Sequence, residues 1–351
     1  MRILKDYFVT FLILTVLIIT LFFCVYYFPQ QSEDIVQAKN IESNEDNENY
    51  DKVHIDSDNS HSSNTENIEN VKTVEPTKLI TGTKINKDLF NETLSDNEKL
   101  KILNDSKYNL EDRILFYLGS DSDRVGFIYY DLNYNKYIEL NKSNTFIAAS
   151  TYKVKLNVLT YEKNKTDKNL LNKKLDYKED DYEEGTGILQ NLCDIPPTPI
   201  SELLDLSIIN SDNIATNMIG SYLGGHDQVR KEINEMFNIS IPYNENITTP
   251  ETEFRILKHI YDNKSDVTYS HLIDVLKSTD YHDRIDKYIP HNIVAHKVGS
   301  SNEYIHDIAI VFPDNPYIFI IYTKDLENAE EKIAQISKTI YNYQVNNRII
   351  N

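Results

Sequence analysis

Stretches with the residue preferences of strands lie only near the two ends of the chain's last 250 or so residues, and that arrangement limits the fold more than any other feature. Residues 125–130 and 136–140 alternate or run apolar early on, with the turn residues 133–135 between them, and residues 293–298, 305–312 and 317–323 do so at the far end. Between the two groups the apolar residues recur with helical spacing at 201–210, 214–223, 228–237, 251–262 and 269–277. Leu100, Ile102, Leu103, Leu110, Ile114, Leu115 and Leu118 predict one helix, or two meeting near Asn109, and a last amphipathic helix spans 326–343 with Ala329, Ile333, Ile336 and Ile340 on one face. A chain of this kind closes one antiparallel sheet with its two ends and carries a helical lobe on the side, an α/β (α+β) domain over 97–347.

The first hundred residues read differently. Residues 8–28 carry no charge and are long enough to cross a bilayer as one helix. Arg2 and Lys5 precede the run while Glu33 and Asp34 follow it, so residues 1–7 are expected in the cytoplasm and the rest outside. A cleaved signal would have a shorter apolar region ending in small residues, which the run from Val25 to Phe28 does not provide. Lipidation of Cys24 is the other alternative, against which the bulky Phe22 and Phe23 count. Between Ser32 and Pro76 there are twelve acidic residues against three lysines, few large apolar groups and many Asn and Ser. Such a segment cannot bury enough to fold, so 29–96 is expected to be a disordered acidic tether holding the domain outside a cell membrane.

The net charge of −19 excludes the usual nucleic-acid binder, which meets its target with basic patches. Cys24 and Cys193 are the only cysteines, so no disulfide framework or thiol metal cluster is available, and Cys193 is expected to be a small buried apolar residue. The nine histidines lack metal-ligand spacing, and neither a catalytic metal nor a cofactor is expected.

Chemistry is concentrated where Ser150 and Lys153 stand three apart at a predicted helix start. Residues so spaced lie one turn apart on one face, and a serine becomes a competent nucleophile when an adjacent amine takes its proton. A Ser-Asp-Asn triplet occurs at 57–59, 95–97 and 211–213, and only Ser211, Asp212 and Asn213 lie between two apolar helices. The run Lys297, Val298, Gly299, Ser300 ends one predicted strand just before another, and a glycine there lets a ligand approach the strand backbone.

Ser-x-x-Lys, Ser-x-Asn and Lys-x-Gly in this order resemble the penicillin-recognising serine hydrolases, and above all the class A β-lactamases and the β-lactamase-like proteins related to them. Segments 200–217, 248–250, 307–309 and 316–323 resemble the same family. The resemblance implies that Ser150 forms an acyl-enzyme, Lys153 accepts its proton, Ser211 relays a proton to the leaving nitrogen and Asn213 holds substrate and Lys153. It also implies an oxyanion hole from the backbone N–H groups of Ser150 and Ser300, a substrate-binding strand through Gly299, Ser300 and Ser301, and a Lys297 whose charge meets a carboxylate and lowers the Lys153 pKa.

Two departures stand out. Val298 replaces the usual Thr or Ser, and the family's Glu-x-x-Leu-Asn segment, whose glutamate activates the deacylating water, is absent. Glu245 is the one carboxylate in the loop where it would fall. The expected activity is therefore β-lactam hydrolysis by a tethered, extracellular, single-pass enzyme, with a penicillin-binding peptidase acting on cell-wall peptides as the alternative. A non-hydrolytic β-lactam sensor or wall-binding module is a further alternative. His296, His306 and Asp307 invite a Ser-His-Asp triad, but no Gly-x-Ser-x-Gly elbow accompanies them, and histidines flanking strands are usually structural.

Overall fold

The computed structural model describes residues 75–79, 81–86 and 94–346. The predicted stub (1–7), the anchor (8–28) and most of the tether lie outside the described residues. Among the described residues no helix is long and apolar enough to cross a membrane.

In chain order the first elements are β1 (Thr77–Lys78), α1 (Asp96–Leu103), α2 (Leu110–Leu118), β2 (Val125–Asp131), β3 (Lys136–Leu140), β4 (Phe146–Ile147) and α3 (Tyr152–Thr166). The middle contains β5 (Lys174–Leu175), β6 (Thr198–Pro199), α4 (Ile200–Ile209), α5 (Asn213–Tyr222), α6 (His226–Met236), β7 (Ile247–Thr248), α7 (Pro250–Asp262) and α8 (Val267–Lys277). The chain ends with β8 (Val294–Ser301), β9 (Tyr304–Val311), β10 (Tyr317–Lys324) and α9 (Ala329–Asn346).

The main sheet has the order β1-β3-β2-β10-β9-β8, so β10 from the far end of the chain lies between β9 and the early strand β2. Ile318 of β10 faces Tyr130 on one side and Ile310 on the other. Every residue of β2 is buried, because both faces of the sheet are covered. Alternation sends Phe127, Tyr129, Phe319 and Ile321 into a core shared with α1, α2 and α9, through residues such as Leu103, Ile114 and Ile336. Ile128, Tyr130, Ile318 and Ile320 go to the opposite face, into the larger core formed with the helical lobe, where Leu156, Leu204, Ile219 and Leu257 meet.

Three expectations need correction. The sheet is antiparallel except at one edge, where Thr77 and Lys78 of β1 pair parallel to Lys136 and Tyr137. Residues 75–79 and 81–86, assigned to the tether, therefore belong to the folded domain, with Leu79 and Ile85 in its interior. Cys193 is exposed, not buried. The break near Asn109 is present, as one of the two readings had it: the Asn109 side chain accepts the N–H groups of Glu111 and Asp112 and starts α2 afresh. The Ser-Asp-Asn copy at 95–97 has the same kind of role: Ser95 donates its N–H and its hydroxyl to Glu98 at 2.9 and 2.6 Å, fixing the start of α1.

Candidate active site

Ser150 lies in a single 3₁₀ turn, Ala149–Thr151, that leads directly into α3. The turn is held on several sides. Ala149, its first residue, has φ +49°, a left-handed conformation that costs an alanine on the order of 1 kcal/mol or more and persists only where neighbours impose it. Asn246 does part of this, accepting the Ala148 N–H at 2.8 Å through its carbonyl and donating its side-chain amide to Ala149 O at 3.2 Å. Thr151 donates to Ala148 O at 2.7 Å, and its hydroxyl meets the buried Tyr322 hydroxyl of β10 at 2.6 Å. Strand β8 passes so close that a Cβ on Gly299 would stand 3.0 Å from Ala148 O, which explains the glycine.

One turn along α3, the Lys153 amine donates to Ser211 O at 2.6 Å, to Asn213 Oδ1 at 2.7 Å and to Ser211 Oγ at 3.1 Å. The spacing of three thus brings Lys153 to the Ser-Asp-Asn segment. No hydrogen bond joins Lys153 to the Ser150 hydroxyl among the described residues, a gap that such sites commonly close only when substrate is bound. Burial is the main force on this amine and lowers it to about 8, against the pull of Glu183 and Asp212. Two of its three partners, a carbonyl and an amide oxygen, only accept. A neutral amine satisfies both with its two hydrogens and leaves its lone pair facing the hydroxyl side.

Ser211 itself has φ +53°, at the sharp join between α4 and α5. Asp212 between the two functional residues is structural: its carboxylate accepts the Ala215 N–H at 2.9 Å, capping α5, and the Leu189 N–H at 2.8 Å. The polar loop over 185–187, which reads in the sequence only as a loop, packs on this cap. Gly187 has φ +120° and a Cβ there would overlap the Asp212 carboxylate, so the loop can carry Thr186 to Ser211 O, at 2.6 Å.

Lys297 is fully buried and is absent from the cleft lining. Burial, then the charges of Lys153 and Arg284, push its amine well below the ordinary lysine range. For Lys153 the largest cause of the lowering is desolvation, while the repulsion between the two amines is felt at Lys297. Besides Lys153, the lining carries the cations Arg230 and Arg284, and Arg284 donates to Gly299 O at 2.9 Å, His306 O at 2.6 Å and Ser300 Oγ at 2.6 Å. The whole cleft measures about 610 Å³ and is lined by Ser150, Lys153, Ser211, Asn213, Val298, Ser300 and Ser301 among others.

Glu245 is exposed and is not among the lining residues, although its neighbour Asn246 is. The acidic residues of the lining are Glu183 and Asp283. Glu183 accepts from Asn217 at 3.0 Å, and Asn217 in turn accepts from His226 Nε2 at 3.0 Å, whose Nδ1 meets the Tyr152 hydroxyl at 2.9 Å. The sequence reading missed Glu183, Arg284, Asn217 and His226, whose only signal is their nearness to the three motifs.

The Ser-His-Asp alternative fails on geometry. His306 donates through Nε2 to Ile147 O at 2.8 Å and accepts the Thr323 N–H at 3.1 Å, and burial pushes it down to about 3, a neutral stitch between β9, β10 and β4. His296 is turned to Asp307 at 3.1 Å.

The sequence profile described as the β-lactamase enzyme family matches residues 109–344. The chain belongs to the β-lactamase family. It is 29% identical over 179 residues to β-lactamase VEB-1 of Pseudomonas aeruginosa, a match covering 42% of this chain and 60% of that protein. It is 26% identical over 238 residues to β-lactamase Toho-1 of Escherichia coli, covering 62% of this chain and 81% of that one. The chain thus spans less than two thirds of VEB-1's own length. Among solved structures, TLA-3 extended-spectrum β-lactamase superposes with a TM-score of 0.60 at 24% identity, covering 67% of this chain and 98% of that one. A PBP-A variant captured as its penicillin-G acyl-enzyme gives 0.60 at 23% identity, covering 66% and 95%. The fold is therefore the β-lactamase-like sheet with helices, and the family is one of serine hydrolases.

Proposed function

We propose that this β-lactamase-family chain opens β-lactams through a covalent acyl-enzyme on Ser150, on the outer side of a membrane to which residues 8–28 tether it. The observation that carries the reading is the Lys153 amine, buried, lowered to about 8 and held against Ser211 and Asn213 in the cleft that contains Ser150. Ser150 Oγ attacks the ring carbonyl carbon while its proton passes to the neutral Lys153 amine. The ring C–N bond then breaks, and the nitrogen takes a proton from the Ser211 hydroxyl, which Lys153 resupplies. Backbone N–H groups of Ser150 and Ser300 receive the oxyanion, an arrangement worth a few kcal/mol in acyl transfer. Asn213 holds the substrate amide. A substrate carboxylate lies against Ser300 and Ser301, with Gly299 allowing the approach and Arg284 supplying the charge that the buried Lys297 and the apolar Val298 do not.

A second reading, a penicillin-binding peptidase of cell-wall peptides with slow β-lactam turnover, is favoured by one specific observation: the lining carboxylates Glu183 and Asp283 are both exposed, and Glu245 is outside the cleft. Incubating the protein with a penicillin or a chromogenic cephalosporin, following intact mass and turnover together, separates the two. Turnover without an accumulating adduct is the β-lactamase outcome, and a long-lived adduct that Ser150→Ala removes is the peptidase outcome. An adduct that survives Ser150→Ala refutes the nucleophile. If turnover is seen, Glu183→Gln should slow deacylation whereas Glu245→Gln should leave it within about twofold, as for most surface changes.

A further inference from the structure

On the side of β8 away from the catalytic lysine, three side chains converge that the proposed chemistry does not use. His282 and Asp286 come from the segment between α8 and β8, and His296 comes from β8 itself. Their ligand-type atoms all lie within 4.8 Å of one another. His282 Nδ1 is hydrogen-bonded to Asp286, and His296 Nε2 stands 3.3 Å from Asp286 Oδ2.

Two of these groups are deeply buried and incompletely satisfied. The side chains of Asp286 and His296 are each 1% exposed, yet Asp286 Oδ1 and His296 Nε2 have no hydrogen-bond partner among the described residues. An unpaired buried polar atom is costly, so two in one spot call for an occupant. The other ring nitrogen of His296 is already committed: Nδ1 lies 3.1 Å from both oxygens of Asp307, and Asp307 is fixed in turn by the Ile285 N–H at 3.0 Å. A carboxylate behind an imidazole, holding its free nitrogen toward a common point, is the outer arrangement of histidines that ligate metals. The His282 ring is stacked on His291 at 4.3 Å, and its side chain is 37% exposed, which leaves a path from solvent.

We propose that His282, Asp286 and His296 form a binding site for a zinc-like divalent cation, with water completing a tetrahedral shell. Two imidazoles and one carboxylate suit zinc or cobalt, whereas magnesium and calcium take oxygen ligands. On binding, the proton of His296 Nε2 leaves to solvent. Without metal, Asp307 and Asp286 keep His296 charged, raising it to about 9 against the effect of burial, so an ion-pair cluster is the competing description. The segment that the cation would clasp to β8 also carries Tyr281, Asp283 and Arg284 to the catalytic cleft. The site would thus brace the wall that holds Ser300.

The test uses the purified full chain. Zinc is titrated in competition with a chromophoric chelator, cobalt is added to read the visible bands of a tetrahedral site, and thermal unfolding is followed with and without zinc. One tight equivalent, tetrahedral cobalt bands and a zinc-dependent rise in Tm are expected. His282→Ala and Asp286→Asn should each weaken zinc binding by more than about 100-fold, beyond the usual effect of losing an outer partner. His282 is partly exposed, so that variant should keep the native circular dichroism. No zinc-dependent Tm shift and no cobalt bands, or binding that both variants retain, overturns the proposal in favour of the ion-pair cluster.

Discussion

Acylation of Ser150 should follow the titration of one buried amine. Lys153 acts as a base only when neutral, and its burial brings it to about 8. The neutral fraction is then about one tenth at pH 7, half at pH 8 and nine tenths at pH 9. The acylation rate should therefore rise about fivefold from pH 7 to 8, less than twofold from 8 to 9, and level off. A lysine left near its ordinary value of about 10.4 would instead give close to a tenfold rise for every pH unit across that range, so the shape of the curve reports the burial directly. Rapid-quench mass spectrometry of the Ser150 adduct with saturating penicillin measures the step without interference from deacylation. A rate that keeps climbing tenfold per unit to pH 10 would refute the lowering of Lys153 by burial, and one that is flat from pH 6 to 9 would refute the assignment of Lys153 as the base. Lys153→Met should lose the profile along with the adduct.

Three further outcomes follow from other contacts of the domain. Lys155 and Glu253 form a buried ion pair at 2.7 Å between α3 and α7, with Thr248 donating to the same carboxylate, so Glu253→Gln should destabilise the domain by about 3–5 kcal/mol in urea unfolding. Gly299→Ala places a methyl 3.0 Å from Ala148 O, which is backbone and cannot swing aside; acylation should slow while stability falls by about 1–3 kcal/mol, read by adduct formation and urea unfolding. Arg284→Gln removes the charged donor to Ser300 and should raise KM for carboxylate-bearing β-lactams by about 10–100-fold, the loss of one charge-assisted hydrogen bond.

The parts legible in the sequence are those that local spacing determines. Ser150 and Lys153 read correctly because three residues on a helix are one turn on any fold; β2, β8, β9 and β10 read correctly because they are largely buried on both faces and carry apolar runs, and β3 because its residues alternate. Strand β1 was invisible, since its two residues sit in a polar, acidic stretch and pair only because β3 offers an edge. Glu245 looked suitable by its place in the chain, but the turn into Asn246 leaves it in solvent. The burial of Lys297 and the arrival of Arg284 at Ser300 depend on how the segment before β8 folds back. That is a tertiary fact with no local signature. The same holds for Cys193, whose neighbours in sequence do not cover it.

The place of β10 in the sheet has a consequence for how the protein is made. Its pairing with β2 joins positions almost 200 residues apart, Ile318 with Tyr130 and Ile320 with Ile128, so the centre of the sheet cannot zip until nearly the whole chain has been synthesised. Until then β2 carries an open edge of unpaired backbone beside only β3, the kind of edge that recruits other chains. High contact order predicts slow folding, and the chain should reach its active form only after the last strand is available to pair. Ser150 would emerge early and remain without the Tyr322 contact that steadies its turn until that moment, making nucleophile competence the final event of biogenesis.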